Sequence, residues 1–382
     1  MTVAAPLALY IHWPFCVAKC PYCDFNSHVR EGVDQAAWRE ALLRDLAHEA
    51  ALLPGRTLGS IFFGGGTPSL MPPETIAALI DAAAGHWSFA DTIEITMEAN
   101  PNSAEAARFG QAAQAGVNRI SLGLQALEDE ALRFLGRAHD VREGLAALDA
   151  AQGCVDRVSI DLIYARPGQS RDDWEAELGR ALAFGTDHLS LYQLTIEPGT
   201  RFETDVRKGA FVPADPDHAA ELFELTQAMT GAVRRPAYEV SNHAAPGQES
   251  AHNLAYWRYA DYAGIGPGAH GRRGGLATVR HKKPENWMSA LDRNGHGLAE
   301  ERTLDAAEQA GEALMMGLRL AEGVDLAALA RRTGLAQASL VDGDAIVRLS
   351  GHGLLTQHGD RLMVTPQGML LLDGILAEIV AV

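Results

Sequence analysis

The sequence predicts an α/β protein built on a mainly parallel sheet, followed by a separate C-terminal winged-helix-like module. Three observations carry that prediction. Six apolar, β-branched or aromatic runs alternate with segments of helical periodicity from residue 7 to residue 196. Such alternation builds parallel strands covered by helices, in a sheet that is open or closed into a barrel. After residue 300 the pattern changes to short helices and one hairpin, and near the start three of the four cysteines crowd into a single loop.

Taken in order, Leu7-Ala8-Leu9-Tyr10-Ile11-His12-Trp13 is the first strand, and Pro14 opens the loop that carries Cys16, Cys20 and Cys23. Residues 34–53 read as a helix with Trp38, Leu42, Leu46 and Ala50 as its apolar positions, stopped by Pro54-Gly55. The second strand, 58–63, runs into Gly64-Gly65-Gly66-Thr67-Pro68, and a helix over 73–84 follows. The third, 92–98, meets the Asn100-Pro101-Asn102 turn and a helix over 104–115. Strands over 117–125, 157–164 and 188–196 complete the six, with helices over 128–135, 141–151 and 172–184 between them. Beyond Glu197 the repeat stops: a helix over 217–233 precedes the polar run 238–243, then an aromatic stretch with a histidine, His252-Asn253-Leu254-Ala255-Tyr256-Trp257. The tail shows helical patterns over 307–318, 326–333 and 342–349, a hairpin within 354–365 and a last helix from 366.

Composition limits the function classes. With 382 residues and 47% hydrophobic content the chain can bury a large core, and its net charge of -17 argues against a non-specific nucleic-acid surface or an anionic membrane as the main partner. The tail lacks a dense basic face, so packing or protein contact is expected there rather than DNA recognition. No apolar run approaches the roughly 18 residues of a membrane span and no basic leader opens the chain, so no transmembrane segment is expected. Bunched cysteines do not make a secreted disulfide framework, which suits a reducing cytoplasm.

Three soft thiolate donors on one short loop point to a metal or an iron-sulfur cluster. Zinc held by Cys16, Cys20, Cys23 and either His12 or His28 satisfies the donor set, and so does a four-iron cluster that leaves one iron for a cofactor; three packed, unliganded cysteines are the plain alternative. Parallel sheets bind ligands at the carboxyl ends of their strands, where the cysteine loop, Gly64 to Thr67, Glu98, Gln125 and Asp161 all fall. Each has a structural reading as well: a tight turn for the glycines, caps for the carboxylates, a strand-end network for Gln125, a surface cation for Arg137. The glycine run is neither a phosphate-binding P-loop nor a dinucleotide fingerprint.

Cys16-Val17-Ala18-Lys19-Cys20-Pro21-Tyr22-Cys23 has the Cys-x3-Cys-x2-Cys spacing of the radical S-adenosylmethionine superfamily, and the chain resembles the branch that holds oxygen-independent coproporphyrinogen III oxidase and its heme-chaperone relatives. The likeness extends through Gly64-Gly65-Gly66-Thr67-Pro68-Ser69, Ser121-Leu122-Gly123-Leu124-Gln125, Leu135-Gly136-Arg137-Ala138-His139, Asp161-Leu162-Ile163-Tyr164 and Tyr192 to Thr200, about residues 7 to 375 in all. It implies a partial (β/α)6 barrel over 1–200, an extension over 201–300 that completes the core, and the winged-helix-like domain over 301–382. It also implies a [4Fe-4S] cluster on Cys16, Cys20 and Cys23, with S-adenosylmethionine on the remaining iron and Tyr10, Tyr22, Gly65, Gly66, Thr67, Glu98, Gln125, Arg137 and Asp161 around it.

In an enzyme of this type the reduced cluster cleaves the cofactor to a 5'-deoxyadenosyl radical, which requires an electron donor. Two departures separate the chain from the oxidase, whose pattern has a further cysteine where Phe25 stands and a longer extension before the residue matching Tyr10. Both favour the chaperone side of the branch, which implies heme as bound cargo and a heme-accepting partner protein. His252, Asn253, Tyr256 and Trp257 form the candidate heme region, with His252 expected to approach the iron or Tyr256 and Trp257 to pack beside the macrocycle. Conversion of coproporphyrinogen III to protoporphyrinogen IX is the competing enzymatic expectation, and a zinc-stabilised interaction protein the third.

Overall fold

The computed structural model describes residues 5–30 and 32–382; residues 1–4 of the first expected domain, and residue 31, lie outside the described residues. Six parallel strands form the centre of the molecule: β1 (Leu7–Trp13), β2 (Thr57–Gly65), β3 (Ser88–Ala99), β4 (Arg119–Gln125), β5 (Arg157–Tyr164) and β6 (His188–Gln193). They lie side by side in sequence order, each paired in parallel with the next. This is the parallel sheet expected from the alternating pattern, and the partial barrel that the family resemblance implies.

The helices between the strands have recognisable local causes. Asp34 caps α1 (Gln35–Leu52) by accepting the Ala37 N–H, and Trp38, Leu42 and Leu46 bury one face of that helix against the sheet. Reciprocal capping boxes start α3 (Val141–Gln152) at Asp140 and Glu143, and α4 (Arg171–Leu182) at Ser170 and Asp173, while Pro73 opens α2 (Pro73–His86). The expected helix over 104–115 is instead two pieces, Ser103–Ala106 and Phe109–Gln114. The first piece serves a local network: buried Glu105 accepts from Asn100 N at 3.0 Å and Asn102 Nδ2 at 2.6 Å.

The sheet also extends further than the six expected strands. The short β7 (Asn242–Ala244) lies antiparallel on β6. On the other side β8 (Tyr262–Ile265) pairs in parallel with β1, and β9 (His270–Arg273), β10 (Leu276–Arg280) and β11 (Leu298–Thr303) continue antiparallel, giving eleven strands. Gly264 permits this edge, since a Cβ there would come within 1.8 Å of the His270 carbonyl oxygen. The principal core runs from Leu7 to Leu291, and a second core gathers Tyr259 with side chains from Ala310 to Ile379. The latter surrounds a small three-stranded sheet, Val324–Asp325, Arg361–Val364 and Leu355–His358.

Candidate functional site

The cysteine loop is held to the end of β2 by backbone bonds. Gly66 N donates to Trp13 O at 2.7 Å, Thr67 N to Phe15 O at 2.9 Å, and His28 N to Pro14 O at 2.7 Å. The glycines allow this approach: a Cβ on Gly66 would lie 2.7 Å from Phe15 O, and one on Gly65, whose φ is +113°, 2.5 Å from the His12 ring. Gly65 therefore does more than turn the chain, and its N–H donates to Glu98 Oε2 at 3.2 Å.

Each thiol has a polar neighbour. Thr67 Oγ1 donates to Cys16 Sγ at 3.4 Å, Arg137 Nη1 to Cys20 Sγ at 3.3 Å, and Ser27 Oγ lies 3.8 Å from Cys23 Sγ. Asn100 closes the network by donating from Nδ2 to Thr67 Oγ1 at 3.0 Å and accepting from Arg137 Nη2, while Arg137 also reaches Tyr22 OH at 3.5 Å. Sequence reasoning missed Asn100, whose only signal was its turn directly after a strand. Burial pushes the Cys16 and Cys23 thiols up, so thiolates there gain from a bound cation. Hydrogen-bond donors aimed at the sulfurs, together with a buried Arg137 Nε that lacks a partner, fit an electron-rich, thiolate-ligated group with an anionic ligand beside it. Among the described residues, no three His, Cys, Asp or Glu side chains close around a single ion. His12, one candidate zinc ligand, has its nitrogens engaged by Tyr10 OH and Asn26 O, both at 2.9 Å.

Farther into the barrel, Glu98 on β3 and Asp161 on β5 face each other. Loss of water around it, then the Asp161 charge, pushes the Glu98 carboxyl up to about 8. Asp161 is also raised by burial, opposed by hydrogen bonds from Ser190 and from Ser121, whose Oγ donates at 3.1 Å. Gln125 ends β4 at φ +67°, a left-handed conformation that is costly for a side chain of its size.

A cavity of about 640 Å3 opens beside the cysteine loop. Tyr10, Gly65 and Glu98 line it together with the rings of Tyr256 and Tyr262, and the exposed Lys19, Phe25, His270 and Lys282 stand at its rim. Of the candidate heme region, Tyr256 faces this cavity. His252 does not present a free nitrogen: it is 2% exposed, with Nδ1 bonded to Ser60 Oγ and Nε2 to Tyr256 OH, each at 3.0 Å. Asn253 donates to Tyr238 OH at 3.2 Å, and Trp257 ends the helix α5 (Ala251–Trp257) without lining the cavity. Asn26 links the two walls, since its Nδ2 donates to both Pro267 O and Lys282 O at 2.9 Å.

A parallel partial barrel with three cysteines at the mouth of its carboxyl-end cleft defines a radical S-adenosylmethionine protein. The Radical SAM superfamily model matches residues 10–180 and the HemN C-terminal domain model residues 304–371. The chain is 38% identical to heme chaperone HemW of Escherichia coli, over 98% of each chain, and 37% identical to HemW of Mycobacterium tuberculosis, over 97% of this chain and 94% of the relative. It belongs to the HemW family, within the HemN-related branch of the superfamily. Radical S-adenosyl methionine domain-containing protein 1, mitochondrial, of Bos taurus is 42% identical over 83% of this chain and 74% of its own length. Among solved structures, E. coli coproporphyrinogen III oxidase HemN shares the fold with a TM-score of 0.82, at 24% identity over 98% of this chain and 90% of that one. Superfamily membership implies a [4Fe-4S] cluster and S-adenosylmethionine. No helix among the described residues is long and apolar enough to cross a membrane.

Proposed function

We propose that this chain binds heme and delivers it to acceptor proteins, using a [4Fe-4S] cluster on Cys16, Cys20 and Cys23 with S-adenosylmethionine beside it. The observation that carries this reading is a single cavity lined by Tyr10, Gly65 and Glu98, by the rings of Tyr256 and Tyr262, and at its exposed rim by Phe25 and two lysines. A flat macrocycle with carboxylate edges suits rings flanked by cations. The heme-chaperone names of relatives that match nearly the whole chain point the same way.

When bound, the cluster and S-adenosylmethionine supply one-electron chemistry to the site. The chain's own residues bind and orient. Gly65 and Gly66 let the cysteine loop close against His12 and Phe15 beside the methionine part, Glu98 receives its ammonium, and Gln125 and Asp161 serve its ribose. Arg137 places positive charge between Cys20 and Asn100 and meets the carboxylate, with Tyr10, Tyr22 and Thr67 completing the wall.

The test is a titration of the cluster-reconstituted protein with ferric heme under anaerobic conditions, followed by mixing with an apo-acceptor. A Soret band that grows and then moves to the acceptor is the expected result. A parallel incubation with coproporphyrinogen III, reductant and S-adenosylmethionine decides against the oxidase; stoichiometric vinyl porphyrin would overturn the chaperone reading.

A further inference from the structure

Three histidines line the cavity, and they differ in what their rings already do. Both nitrogens of His12 are bonded, and His28 is held by Asn26 Oδ1 at 3.3 Å and by the Lys282 backbone. His270 makes no side-chain hydrogen bond among the described residues, and it is exposed at the start of β9. Its backbone is nonetheless fixed from several sides. Gly264 lets the His270 carbonyl lie against β8, Arg280 N donates to Ala269 O at 2.9 Å, and Gly268 N donates to His281 O at 3.0 Å. The preceding turn is secured by Asp45, which accepts from Gly266 N at 3.1 Å, and by Asn26 through Pro267 O.

The groups around this ring are equally specific. Tyr256 and Tyr262 pack edge to face, their centroids 4.4 Å apart, and both line the cavity with His270. Phe25, 59% exposed, belongs to the cysteine-loop side of the same cavity. Lys282 lies close enough for its charge to act on His270, and Lys19 close enough to act on His28. Asp24 is the one exposed carboxylate on this rim.

Resting on the heme reading above, we propose that His270 is the protein ligand to the heme iron, with Phe25 against the macrocycle and Lys19 and Lys282 paired with its propionates. A neutral imidazole donates a lone pair to iron, and partial loss of water around the ring, then the Lys282 charge, lowers the His270 pKa and so favours that form. Tyr256 and Tyr262 offer alternative oxygen donors in the same cavity, but burial raises both phenols and keeps their protons on.

The experiment records heme difference spectra against the same cluster-loaded full-length protein, for the parent, His270→Ala, His270→Gln and Lys282→Glu, with circular dichroism to confirm folding. The parent is expected to give a nitrogen-ligated Soret band. Both His270 variants should shift it and weaken ferric-heme binding tenfold or more, and millimolar imidazole should restore the band in His270→Ala. Lys282→Glu should weaken binding without moving the band. A parent that binds heme beside His270 variants with an unchanged band and affinity overturns the ligand assignment and leaves the chaperone reading intact. A parent that binds no heme overturns both.

Discussion

At the scale of single residues, Glu98 connects proton binding to cofactor binding. Before any ligand binds, its carboxyl titrates near 8 instead of 4.5, so it is mostly protonated at neutral pH. The folded state then holds a proton that the unfolded chain releases above about 4.5, and Glu98 lowers stability progressively as pH rises from there to about 8. An ammonium group placed against it favours the ionised form. Binding of S-adenosylmethionine at neutral pH should therefore release up to one proton, and affinity should rise with pH to a maximum near 8 and fall above it, where the ligand's own amino group loses its proton. Calorimetry in buffers of different ionisation enthalpy measures the proton, and affinity should increase about fivefold from pH 6.5 to 8. Glu98→Gln should abolish the slope; a parent whose affinity is flat over that range removes Glu98 as the ammonium partner. His252 illustrates a different use of a buried polar ring. Its nitrogens join Ser60 on β2 to Tyr256 on α5, so His252→Ala leaves two hydroxyls without a partner and should cost about 2–4 kcal/mol in chemical denaturation. The position of the heme Soret band should be the same as in the parent.

At the scale of elements, the cysteine loop depends on contacts 241 and 256 residues away in sequence. Asn26 gives its amide hydrogens to the carbonyls of Pro267, after β8, and Lys282, after β10, and its own carbonyl accepts from His12. Removing that amide in Asn26→Ala should cost about 1–3 kcal/mol and speed loss of the cluster to a chelator several-fold, followed by the decay of its visible absorbance. Unchanged decay would show that the backbone bonds at Gly66, Thr67 and His28 hold the loop unaided. The six central strands were legible because each is an apolar run long enough to state its period, and the three thiols because clustered soft donors have few other uses. The extension was not: β9 and β10 contain the buried Arg272, Arg273 and Arg280, which invert the usual inward-apolar pattern. Asn26 and Asn100 escaped for a related reason. A single polar residue in a loop carries no periodicity, and its role exists only in the contacts that folding creates.

At the scale of the whole molecule, those inverted residues join the extension to the barrel. Arg280 is fully buried, with Nε donating to Asp45 Oδ2 at 2.6 Å and Nη2 to Glu49 Oε1 at 2.9 Å, and Arg273 approaches Glu49 at 3.3 Å. Both carboxylates stand on α1, so the pair connects β9 and β10 to the first helix of the barrel. Asp45 simultaneously accepts from Gly266 N, Gly297 N and the Trp287 indole, each at 3.1 Å, which places the turn before His270 under the same control. A buried ion pair of this kind gains little over well-packed apolar residues, yet loss of one partner strands the other charge in a dry interior. Arg280→Ala should therefore destabilise the protein by about 3–5 kcal/mol, measured as a lowered denaturation midpoint. Because the same carboxylate fixes the cavity wall, the variant should also bind ferric heme more weakly under conditions where it is still folded. Replacing the solvent-exposed Arg302, whose ion pair with Glu308 lies on the surface, should shift stability by less than about 1 kcal/mol and leave heme binding alone. Equal effects of the two substitutions would mean that the extension is held by its strand pairing with β1 and not by the charges beneath it.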